Sequence, residues 1–255
     1  MRTSGNTILI TGGGSGIGLA LAEEFAKLDN QVIVAGRSAE KLQIATIKGF
    51  KTYSVDMTNA ESIRSLANTV IQDFPKLNAV IQNAGIMKQE NLLTDGHAQI
   101  QDETVATNFM GPMRLTDALL PHFLRQSSAT IMTVTSGLAF LPLAMNPTYC
   151  ATKAAIHSYT ERLRYQLKNT AIEVIELPLP YVQTFLGGER QANDPHAMLL
   201  KDFISEVIQI LKQKPREKEV LVNRVRELRF AASNGSEKYD QQFKNFNDIM
   251  TAARN

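Results

Sequence analysis

The run Thr7-Ile-Leu-Ile-Thr-Gly-Gly-Gly-Ser-Gly-Ile-Gly18 decides how this 255-residue chain folds. Its apolar half reads as a short buried strand. Its glycine half turns sharply into a segment, 17–28, whose apolar residues recur with helical period. Glycines at such a turn allow backbone conformations closed to other residues and let an anion approach the free N–H groups at a helix start. Strand, glycine turn and helix in this order make a place for a dinucleotide pyrophosphate, although a glycine-rich turn alone also serves as a plain tight turn.

Working outward, Val/Ile/Leu-rich runs at 7–10, 31–35, 52–55, 79–82, 129–135, 172–177 and 219–222 read as strands. They alternate with helical patterns near 17–28, 39–47, 60–74, 97–126, 149–168 and 200–212, each long enough for a crossover. Regular alternation predicts an α/β fold over 1–255. We expect a single-domain, Rossmann-type, doubly wound parallel β-sheet of about seven strands with helices on both faces. Two segments break the pattern. Residues 185–198, with Gly187, Gly188 and Pro195, read as a mobile substrate flap. Residues 233–255 form a polar C-terminal extension in which Phe243, Phe246, Ile249 and Met250 either line one side of a last helix or belong to a frayed tail.

Composition narrows the function by exclusion. A hydrophobic fraction of 44% and a charged fraction of 20% are ordinary for a globular protein, and a formal net charge of +2 gives no pull toward nucleic acid or a membrane surface. No stretch of 18 apolar residues is present, and the single Cys150 excludes an intrachain disulfide or a cysteine metal cluster. A cytoplasmic address is expected. His97, His122, His157 and His196 are scattered without metal-ligand spacing, so no metal is expected.

Chemistry is concentrated in Tyr149-Cys-Ala-Thr-Lys153, where i and i+4 spacing puts Tyr149 and Lys153 on one helix face. Ser136 lies thirteen residues before Tyr149, at the end of a strand. A carbonyl receiving hydride needs a proton, and an alcohol losing hydride must release one. A phenol titrates near about 10. A cation about 4 Å away supplies on the order of 4 kcal/mol at an effective dielectric near 20, the scale needed to bring it toward neutrality.

The glycine spacing at Thr11, Gly12, Gly16 and Gly18, together with Ser136, Tyr149 and Lys153, resembles the short-chain dehydrogenase/reductase family over roughly residues 5–185. The resemblance implies an alcohol or carbonyl substrate, a nicotinamide cofactor and a homodimer or homotetramer paired through the helices near 97–126 and 149–168. In that family Tyr149 would be the proton donor and acceptor, and Ser136 would polarise the substrate oxygen. Lys153 would bind the nicotinamide ribose, and Asn108 would hold a water linking Lys153 to solvent. Gly12, Gly14, Ser15, Gly16, Ile17 and Gly18 would hold the pyrophosphate. Asp56, with Met57 beside it, would meet the adenine; Asn83, Ala84 and Gly85 would shape the crevice; Val182 and Thr184 would contact the nicotinamide side.

Where the second strand ends, Gly36 offers no carboxylate for a ribose hydroxyl and Arg37 offers a guanidinium to a 2′-phosphate, which points to NADP(H) over NAD(H). Pro180 stands where the family usually has glycine, and Gln82 where Asn is often found. This altered turn, Arg37 and the 220–230 segment resemble the DltE-type bacterial members. The apolar run 138–145 either lines the substrate pocket or is core. An NADP(H)-sensing binding protein on the same fold is the alternative, disfavoured by the complete Ser-Tyr-Lys set.

Overall fold

The computed structural model describes residues 1–252. Six parallel strands form one sheet: β1 (Thr7–Thr11), β2 (Gln31–Gly36), β3 (Lys51–Ser54), β4 (Leu77–Gln82), β5 (Ala129–Ser136) and β6 (Ile172–Leu179), in the order β3-β2-β1-β4-β5-β6. Helices α1 (Gly16–Lys27), α2 (Ala39–Ile47), α3 (Ala60–Asp73), α4 (Ala98–Val105), α5 (Gly111–Phe123) and α6 (Pro147–Gln166) connect them. Beyond β6 come α7 (Glu189–Asn193), α8 (Leu200–Gln213), α9 (Asn223–Arg229) and α10 (Ser236–Ala252).

All five residues of β1 are buried, as expected of a strand covered on both faces. Successive side chains serve opposite cores: Ile8 and Ile10 pack with Phe25 and Phe203, while Leu9 packs with Leu119 and Phe123. Strand order reverses at β1, whose neighbours are β2 and β4. The crevice for a ligand therefore opens at the carboxyl end of β1, where the glycines lie.

Two expectations change. The seventh strand, at 219–222, is absent from the sheet: the segment makes a single bridge, Glu176 to Glu219, with Val220 N–H donating to the Glu176 carbonyl at 2.8 Å. Val220 and Val222 are fully buried, which gives the run its strand-like composition, and α9 starting at Asn223 ends the pairing. The helix near 97–126 is in fact two, joined by a π-helical turn over Ala106–Met110. Pro112 has no N–H to return to the Asn108 carbonyl four residues earlier, so the helix widens there. The C-terminal segment, open between a last helix and a frayed tail, is a helix over 236–252 with no fully buried residue.

Candidate active site

At the glycine turn the backbone itself is the binding surface. Gly12 has φ +66°, and a Cβ there would stand 2.8 Å from Ala84 Cα; one on Gly18 would stand 2.4 Å from the Gly12 carbonyl oxygen. Only glycine fits either place. Asn83 keeps the turn in position, its Nδ2 donating to the carbonyls of Thr11 and Gly12 at 3.1 and 3.2 Å, while Ala84 N–H donates to Thr11 Oγ1 at 3.2 Å. Ser15 gives α1 no side-chain cap, which leaves the amide donors of the first turn for an anion. Thr184 Cγ2 comes within 3.7 Å of where a Cβ on Gly16 would sit, so the segment after β6 closes the other side.

From here a cleft of about 810 Å³ runs past Gly14, Gly16, Ile17, Arg37, Asp56 and Met57 and past Asn83, Ala84 and Gly85 to Tyr149, Lys153 and Thr184. Val182 is buried and does not line it. A nicotinamide dinucleotide fits this donor set: an open glycine cradle at the middle, a carboxylate and a guanidinium at one end, and a hydroxyl and an ammonium at the other. At the first end, Thr58 N–H and Oγ1 donate to Asp56 Oδ1 at 2.9 and 2.8 Å, and these bonds, with help from Arg37, hold the Asp56 carboxyl below its usual range. Lys41, four residues after Arg37 on α2, also lines the cleft. Its place in the first turn of the helix that follows Arg37 was the available signal.

The chemical end is dry. Tyr149 and Lys153 are 4% and 5% exposed. Ser136 hydrogen-bonds the Tyr149 hydroxyl, an effect that lowers its pKa, but burial outweighs it and pushes Tyr149 well above the usual phenol range. Lys153 Nζ donates to the Val134 carbonyl at 2.8 Å and lies 5.5 Å from the centre of the Tyr149 ring, and burial pushes it down to about 8. The ammonium thus faces the ring, and the lowering of the phenol expected from a neighbouring cation is not achieved in this state. Asn108, at the π-helical turn, clamps two segments: its Oδ1 accepts from Ile86 N–H at 2.9 Å, and its Nδ2 donates to the Ile86 carbonyl at 2.8 Å and to Thr152 Oγ1 at 3.3 Å.

Other contacts hold this end together from a distance. Glu90, buried, accepts from Thr148 N–H at 3.1 Å and Oγ1 at 2.8 Å, capping the start of α6 one residue before Tyr149. Gln82 donates to the Pro112 carbonyl at 3.0 Å and to Thr116 Oγ1 at 2.8 Å, tying β4 to α5. The 185–198 segment is tied down too: Gln191 donates to the Val182 carbonyl at 2.8 Å, and Gln183 and Met198 pair backbone to backbone at 2.9 Å. Pro180 is accommodated where β6 ends and this pairing begins.

Beside Tyr149 an apolar cluster joins Leu143, Tyr149 and Cys150 with Met87, Leu138, Met145, Phe246 and Met250. Part of the 138–145 run therefore packs around Tyr149. Phe246 and Met250 come from α10, over ninety residues away in sequence, and Asn247 fastens that helix by accepting from Ala144 N–H at 2.6 Å and donating to the Pro142 carbonyl at 3.2 Å. Neither contact had a local sequence signal. His157, two turns after Tyr149, meets buried Glu176 at 2.9 Å, and Glu219 lies close enough that the three ligand atoms are within 4.8 Å of one another. Their acceptors are engaged by Thr135 at 2.6 Å and by the fork of Arg229 at 2.7 and 3.1 Å.

A family model described as short chain dehydrogenase matches residues 6–195. The chain is 37% identical over 259 residues to the uncharacterized oxidoreductase DltE of Bacillus subtilis (strain 168), covering 97% of this chain and 98% of that protein. It is 31% identical over 221 residues to an uncharacterized oxidoreductase of Staphylococcus aureus (strain USA300), covering 85% and 94%. Among solved structures it resembles a short chain dehydrogenase from Burkholderia cenocepacia J2315 in complex with NADP, with TM-score 0.80, 21% identity and coverage of 95% and 99%. It also resembles one from Burkholderia phymatum in complex with NAD, with TM-score 0.77, 20% identity and coverage of 92% and 95%. At those identities the likeness is one of fold. The chain belongs to the short-chain dehydrogenase family of oxidoreductases.

Proposed function

We propose that this protein transfers hydride between NADP(H) and an alcohol or carbonyl compound, with Tyr149 as general acid and base. The observation that carries the reading is that Ser136, Tyr149 and Lys153 converge at one end of the cleft that begins at the glycine turn. A nicotinamide bound there supplies or takes up the hydride. Tyr149 passes its proton to the carbonyl oxygen, and Ser136, already bonded to that hydroxyl, steadies the same oxygen. Burial keeps Tyr149 protonated, which suits the acid role and favours carbonyl reduction. Lys153, charged below about 8, stabilises the phenolate left behind. The apolar cluster beside Tyr149 supports a substrate with apolar substituents and leaves little room for a charged one. At the other end Arg37 supports the 2′-phosphate of NADP(H) over NAD(H).

The test is NADPH consumption with a panel of aldehydes and ketones. Tyr149→Phe is expected to lose about 10²- to 10⁴-fold in turnover while the NADPH dissociation constant stays within about threefold. If NADPH binds tightly, no panel member consumes it, and Tyr149→Phe leaves the biological role intact, the protein is a cofactor sensor. Equal or better efficiency with NADH overturns the cofactor assignment.

A further inference from the structure

β2 ends without a carboxylate, yet the fold brings one to the same place. Glu103, on α4, sets Oε1 3.3 Å from Arg37 Nη1 and Oε2 2.6 Å from Lys88 Nζ. Arg37 and Lys88 both line the cofactor cleft, so this carboxylate links the β2 side of the cleft to the segment that follows β4. Its side chain is 26% exposed, against 62% for Arg37. The two cations hold the Glu103 carboxyl below its usual range, Lys88 contributing most.

We propose that Glu103 is a cofactor-discriminating residue, which competes with the 2′-phosphate of NADP(H) for Arg37 and so narrows the preference over NAD(H). The inference rests on the assignment of Arg37 to that phosphate. A phosphate approaching Arg37 must share or displace the carboxylate already there and meets its like charge. NAD(H), with a ribose hydroxyl at that position, asks nothing of Arg37 and meets no such repulsion. Glu103 thus does from α4 what an acidic residue at the end of β2 does in NAD-selective Rossmann sites. Lys88 offsets part of the charge, which keeps the penalty modest.

The experiment titrates NADPH and NADH separately into wild-type protein, Glu103→Gln, Arg37→Ala and the double variant. Nicotinamide fluorescence is the readout, and the chain's lack of tryptophan keeps the background low. Glu103→Gln is expected to tighten NADPH by about 2- to 5-fold, the range of an exposed ion pair, and to leave NADH within about 2-fold. In the Arg37→Ala background the same substitution should have a clearly smaller effect, since only the direct repulsion remains. An unchanged or smaller preference for NADPH in Glu103→Gln overturns the proposal, as does an effect of the same size without Arg37. If Arg37→Ala leaves the NADPH-to-NADH ratio at its wild-type value, the assignment of Arg37 itself falls. If Arg37→Ala shifts that ratio and Glu103→Gln does not, only the role of Glu103 falls.

Discussion

Lys153 shows how much a single buried ammonium costs the fold. Burial lowers it from 10.5 to about 8. Between those values the unfolded chain binds a proton that the folded chain does not, so stability rises with pH through that window, and below about 8 the whole penalty is present. The difference corresponds to about 3 kcal/mol. Lys153→Met is therefore expected to raise the melting temperature at pH 7 by several degrees while abolishing turnover, with the gain vanishing toward pH 10.5; thermal unfolding across pH 6–11 checks it. A lower melting temperature at pH 7 would show that the bond to Val134 outweighs the buried charge. Lys153, Tyr149, Ser136 and the glycines were legible because short spacings on one helix, or at one strand end, encode their geometry. Glu103 and Glu90 were not, because each reaches its partner across the fold, Glu103 meeting a residue sixty-six positions away and Glu90 one fifty-eight away.

Among the elements, α10 is held by few contacts, with none of its residues fully buried and Asn247 as its main polar fastening. Truncating Phe246 should cost less stability than the roughly 3–5 kcal/mol of a fully buried Phe. Its effect should fall on substrate handling. Phe246→Ala is expected to change KM for the carbonyl substrate several-fold and leave NADPH affinity unaltered, since the glycine turn lies elsewhere; steady-state kinetics beside cofactor titration separates the two. Loss of NADPH binding would place α10 in the cofactor site instead. Periodicity alone left α10 open between helix and frayed tail because its apolar residues are few, and contact with the 142–145 loop and the Tyr149 cluster gives them a role. The break at Ala106–Met110 was likewise hidden, because apolar periodicity runs through it and only Pro112 marks the lost hydrogen bond.

For the whole molecule, the parallel sheet and its layering were readable because β–α alternation admits few topologies. The count of strands was overestimated because burial of Val220 and Val222 requires apolar residues whether or not a ladder forms. Assembly is a separate matter. Val105, Leu124 and Tyr165 are 39%, 52% and 66% exposed on, or just after, the helices that family members use to pair. Light scattering with size exclusion is expected to give twice or four times 28.2 kDa, and Leu124→Glu with Tyr165→Glu to reduce it. A monomer from the wild-type chain would refute this.

The chain's one thiol also lies in the Tyr149 cluster. Cys150 Sγ accepts from Leu143 N–H at 3.3 Å, and burial pushes the thiol up to about 11. With no other cysteine to compete, a maleimide dye becomes a stopwatch for this cluster: Cys150 is 4% exposed, so labelling can proceed only as often as the packing around it opens. The unmodified protein therefore carries its own reporter, able to time the opening of the cluster around Tyr149.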